Sequence, residues 1–206
     1  MTTPSETAPA KVDGRRLRSD RSRQSMIDAY MALLREKLRM PTAEEIAGRA
    51  GCSTRLVFAR FGDITELGLA AADQAFEHAR IAGVPRNVDA DRATRIASHV
   101  EIRALICETW LPLWRSAVTH QERSSRLRSR IVMAHDIVFK RLELMYAPEL
   151  GTLPELERRR LLIALEAIID FQSWGRMRED QGLSVEQARA VWMQVIDRIL
   201  PATPTA

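Results

Sequence analysis

Two cysteines, Cys52 and Cys107, are too few for a disulfide framework, and neither lies at zinc-ligand spacing from a histidine. No stretch approaches the roughly 18 consecutive apolar residues of a membrane-spanning helix. β-branched runs alternating with polar residues are absent, so no strand is predicted. The four histidines, His78, His99, His120 and His135, are scattered, and no glycine-rich phosphate loop or nucleophile–histidine arrangement accompanies them. An enzyme is therefore not expected, nor is a cofactor or a metal. The first residues, MTTPSETAPAK, lack the basic start and apolar run of a secretory signal. A cytoplasmic setting without membrane association is the expectation. What is present is ordinary for a folded protein. Of 206 residues, 46% are hydrophobic and 28% charged, enough to bury a core and too apolar for global disorder.

Charge is unevenly placed. Residues 1–62 hold 12 Lys+Arg against 7 Asp+Glu, whereas residues 63–206 hold 19 against 20. A basic end on a near-neutral body points to an anionic partner for that end, or to a tail that only aids solubility.

Apolar spacing predicts helices throughout. Residues 1–20, with Pro4, Pro9, Gly14 and Arg15, Arg16 and Arg18, read as a disordered basic arm. Met26, Ile27, Tyr30, Leu33, Leu34 and Leu38 then recur at helical spacing over 22–38. Thr42 with Glu45 forms a capping box, in which each side chain satisfies an orphan backbone N–H of the other residue. Gly51 ends that short helix, Ser53 caps another over 54–60, and Asp63 opens a longer one to about Ala82. Further helices are expected over 90–118, 121–146, 154–178 and 184–200. Pro112 should kink or end the first of these. Ser184 with Gln187 repeats the capping box. The class is all-α, with domain limits at 21–66 and 67–201 and a frayed tail at 202–206.

The segment TAEEIAGRAGCSTRLVFARF, residues 42–61, has the makings of a helix-turn-helix: two short helices, a small residue (Ala47) where they approach, and Gly51 at the turn. Ile46, Val57 and Phe61 can pack inward, leaving Thr54, Arg55, Phe58, Ala59 and Arg60 freer to face out. In this motif the second helix enters the major groove of double-stranded DNA. Arg55 suits a bidentate guanine contact. Arg60 suits phosphate, as do the Thr42 hydroxyl and the helix N-terminal amides there, and Ser53 is a further DNA-binding candidate. Leu56 can touch a thymine methyl or pack. Cys52, in the turn, reads as a small buried hydrophobe.

The stretch 21–70 resembles the DNA-binding domain of the TetR family of transcriptional regulators. The resemblance is carried by Thr42, Ile46–Ala47, Ala50–Gly51–x–Ser53, Val57–Phe58, Phe61 and Leu67. It implies an N-terminal three-helix domain followed by a C-terminal helical bundle for ligand binding and dimerisation. It further implies a ligand-responsive homodimer, usually a repressor, on a palindromic operator. Phe58 stands where the family commonly has a phosphate-contacting Tyr, and Ile64 where it commonly has Lys. These departures motivate a second reading, a dimeric helical interaction module with degenerate or sequence-blind DNA binding.

The C-terminal stripes support the dimer expectation. Leu161, Leu162, Leu165, Ile168 and Ile169 on one helix, and Ala188, Val191, Trp192, Val195 and Ile199 on the last, can meet their copies in a four-helix interface or face the subunit's own core. For a small, mostly apolar ligand, candidate contacts are Leu105, Trp110, Trp114, Met133, Phe139, Phe171 and Trp174, with Glu108, His135 and Asp170 as polar anchors. The same aromatics can equally be core.

Overall fold

The computed structural model describes residues 14–37 and 39–204, and these contain helices and no strand. The chain divides into two compact units, Met1–Leu67 and Gly68–Ala206.

The first unit is built on α1 (Gly14–Lys37), α2 (Ala43–Ala50), α3 (Thr54–Phe61) and the start of α4 (Ile64–Ala82). The arm expected over 1–20 is corrected in part: residues 14–20 form the first turns of α1. Glycine at 14 does not stop them, and no proline follows until Pro41. Residues 1–13 lie outside the described residues. Met26, Ile27, Tyr30, Leu33 and Leu34 of α1 are buried together with Ile46 and Ala47 of α2, Val57 and Phe61 of α3, and Leu67. Both hydrogen bonds of the Thr42–Glu45 capping box form. Gly51 takes a left-handed conformation, φ 66°, that a side chain disfavours. The following Cys52 N–H returns to the Ala47 carbonyl at 2.9 Å.

In the second unit α5 (Arg92–His120) is central. Its buried residues, among them Val100, Ile102, Ala104, Cys107, Leu111 and Leu113, lie on more than one side. Around it pack α6 (Ser125–Met145), α9 (Phe171–Gly175) and α10 (Val185–Ile199), while α8 (Glu155–Ile168) packs on α6 and a single turn, α7 (Ala147–Leu150), links them. Pro112 does not end α5, which continues to His120. The continuous helix expected over 154–178 is broken. The backbone turns extended at Asp170, whose carboxylate caps α9 by accepting from the Gln172 N–H. The Ile169 carbonyl freed by the break accepts from Arg103 Nε at 2.8 Å. A π-helical turn, Arg176–Asp180, follows α9. Trp174 and Trp192 meet at 4.8 Å between ring centroids, locking α9 to α10. At the chain end, Arg92 donates to the carbonyls of Asp197, Leu200 and Pro201.

Candidate nucleic-acid interface

The outward face of α3 is made by alternation of burial. Val57 and Phe61 point into the core, so Arg55, Phe58, Ala59 and Arg60 are exposed. Thr54 and Leu56 are half-buried. Residues 53–62 contain no carboxylate, so no residue of α3 itself offsets its positive N-terminal end. Arg55 has no hydrogen-bond or ion-pair partner among the described residues, and its guanidinium is free. Arg60 is tied back to the Ser19 hydroxyl of α1. The Ser53 hydroxyl accepts from Leu56 N–H at 3.3 Å, and the Thr42 hydroxyl from Glu45 N–H at 3.3 Å. Each hydroxyl thus uses a lone pair to cap its helix and keeps its own proton to donate. Phe58 presents an apolar ring that is 47% exposed. Glu45 is engaged by Lys37 at 2.5 Å and Arg39 at 2.6 Å. Arg39 and Lys37, together with the Thr42 N–H, hold its carboxyl well below the usual range. Neither Arg55 nor Arg60 is diverted to an acidic residue of α2.

The ligand candidates separate into three groups. Trp114, Phe171 and His135 come together: Trp114 stacks on Phe171 at 4.7 Å, and His135 meets the Trp114 edge. His135 Nδ1 lies 2.6 Å from Glu166, which raises its pKa. Trp174 and Glu108 are bound to each other, Nε1 to Oε2 at 2.7 Å, and Arg178 also holds Glu108. Trp110 lies against His78 at 5.9 Å, and Phe139 is half-buried. Leu105 and Met133 are exposed and do not join these groups. Asp170 is engaged as the cap of α9.

No protein-family profile and no curated protein matches the sequence. Solved structures do match. A protein assigned as a TetR-family transcriptional regulator from Rhodococcus sp. superposes with TM-score 0.62 at 17% identity, over 88% of this chain and 99% of that one. A protein assigned as a transcriptional regulator from Pseudomonas aeruginosa PAO1 gives 0.62 at 18%, over 91% and 94%. The multidrug binding protein EbrR, solved with imidazole, gives 0.58 at 18%, over the whole of both chains. The fold is that of the TetR-family regulators.

The dimer candidates fall on both sides of their helices, and those buried within the protomer are corrected to core. Leu162, Leu165, Ile169, Ala188 and Trp192 are buried in the protomer's own core. Leu161, Ile168, Val195 and Ile199 are half-buried, and only Val191 of the set is exposed. The two apolar stripes are wide because each helix has apolar residues on two sides. The side left outward in this TetR-type unit carries Leu156, Ile163, Ala164 and Ala167 on α8, and Ala190 and Val191 on α10. Ile163 is 51% exposed and Leu156 60%. The spacing 156, 163, 167 places these residues on one side of α8, beside the stronger buried stripe. Among the described residues no helix is long and apolar enough to cross a membrane.

Proposed function

We propose that the chain is a cytoplasmic, non-enzymatic transcriptional regulator, a repressor that binds a palindromic operator as a homodimer and responds to a small ligand held in its second unit. The free, outward Arg55 on an acid-free α3 is the observation that carries this. It leaves a bidentate donor free on the helix that would enter the major groove, where the interaction-module reading would gain from an Arg55 tied to Glu44 or Glu45. The proposed response is a ligand-dependent shift of α4, whose register would set the spacing of the two α3 helices. The ligand acts only through unequal affinity for the two arrangements.

Selection of duplexes from a random pool tests the reading. A recovered palindrome with half-sites about one helical turn apart, or a multiple of it, is the expected result. Sequence-blind binding that vanishes with salt would remove it in favour of the interaction module. On the recovered site, Arg55→Ala is expected to relax preference at one base position by about 1–3 kcal/mol, read by competition against singly substituted duplexes. An equal loss against every sequence would instead make Arg55 a phosphate contact.

The exposed α8–α10 face is the proposed dimer surface. Ile163→Glu places a carboxylate on it in each protomer and is expected to halve the mass measured by light scattering, with the helical circular dichroism intact. An unchanged mass would assign the interface elsewhere.

A further inference from the structure

Two arginines face the interior of the second unit without a carboxylate. Arg103 on α5 is 6% exposed; its Nε holds the Ile169 carbonyl and its guanidinium lies over the Phe171 ring at 4.8 Å. Arg141 comes from α6, which packs on α5. Its Nε is buried with no protein partner. Neither arginine makes an ion pair among the described residues, whereas buried Arg95 is paired with Glu149. His99 lies one helical turn before Arg103 and is 2% exposed. Its Nδ1 meets the Tyr146 hydroxyl at 2.8 Å, and its Nε2 is buried and unpartnered. In the tautomer in which Tyr146 donates to Nδ1, that Nε2 carries the proton and is a free donor. Buried donors are satisfied as a rule, so a group of such exceptions calls for an acceptor.

We infer that the second unit binds an organic carboxylate between His99, Arg103 and Arg141. The geometry gives the head group forked guanidinium donors and an imidazole N–H, which suit a carboxylate's two oxygens. Two acidic groups of this unit already have partners. Asp170 caps α9 and Glu166 is bound to His135. The electrostatics agree. Burial, then Arg141 and Arg103, push the His99 pKa down to about 3, and burial and Arg103 push Arg141 below its usual value. A bound anion relieves both. Arg141 is held by shape: its guanidinium lies against Gly83, where a Cβ would stand 2.4 Å from Nη2. Toward α9 the aromatic wall continues from Phe171 to Trp114. That this anion is the effector rests on the regulatory reading; the site itself does not.

The test uses the full chain without DNA. Decanoate, decanol and decyltrimethylammonium, and separately benzoate and benzamide, are compared at fixed ionic strength by calorimetry and tryptophan fluorescence. Each carboxylate is expected to bind at least about tenfold tighter than its neutral counterpart, the scale of a hydrogen bond to a charged group. Arg141→Met should abolish that preference and Arg141→Lys retain part of it, with near-ultraviolet circular dichroism reporting that both fold. Equal binding of acid and neutral partner, preference for the cation, no binding in either series, or a preference that survives Arg141→Met would each overturn the assignment. Carboxylate preference without a recovered operator would leave the site and remove its regulatory meaning. An operator without carboxylate preference would do the reverse.

Discussion

Arg95→Met is expected to destabilise the protein by about 3–5 kcal/mol, a large part of the roughly 5–15 kcal/mol typical of a folded domain. Glu149 is fully buried, and its Oε1 accepts from Arg95 and from the Thr203 hydroxyl. Removing Arg95 strands a carboxylate in the core. The pair is also incompletely satisfied, since Arg95 Nε and Glu149 Oε2 have no protein partner. Replacing both by apolar residues, Arg95→Met with Glu149→Leu, is therefore expected to restore most of the loss. Urea unfolding followed by circular dichroism measures all three. A double variant as unstable as the single one would mean that the pair itself, not the stranded charge, holds the fold. The pH dependence has a defined sign. Burial alone would raise the Glu149 carboxyl, but Thr203, its own backbone N–H and Arg95 together hold it below 4.5. Its contribution is complete above that value and is lost as pH falls through the folded one.

The helix-turn-helix was legible in the sequence because its signals are local. A capping box, a left-handed glycine and a capping serine act within a few residues, and each forms where the spacing places it. The second unit was harder. Asp170 inside an apolar run looked like a polar anchor for a ligand, yet it breaks the helix and caps the next one, and Arg103 satisfies the freed Ile169 carbonyl from another helix. The stripe at Leu162, Leu165 and Ile169 could not announce which of two apolar sides faces its own core. Burial of Leu165 is a tertiary fact. Arg95, His99 and Arg103, four residues apart and all buried on α5, were the missed signal. Polar side chains at the spacing of one helix face mark an interior with polar work to do.

Acid is expected to destabilise the protein between pH 6.5 and about 3 through His99, whose pKa falls from its ordinary 6.5 to about 3 on folding. Burial is the main cause, and the facing charges of Arg141 and Arg103 add to it. In this window the unfolded chain takes up a proton that the folded chain refuses, so stability falls with pH by up to about 1.4 kcal/mol per unit. The upper part of the window, from 6.5 to 4.5, belongs to His99. Glu149 acts only as pH drops below it. His135 has the opposite sign: Glu166 raises its pKa above 6.5, so its contribution is complete below 6.5 and is lost as pH rises through the folded value. Denaturant titrations at pH 6.5, 5.5 and 4.5 should therefore show a slope that His99→Gln removes. A slope unchanged in that variant would place the acid-sensitive group elsewhere. The same measurement reports on the anion. A carboxylate beside His99 favours the protonated imidazole, so saturating decanoate should flatten the slope and decanol should leave it.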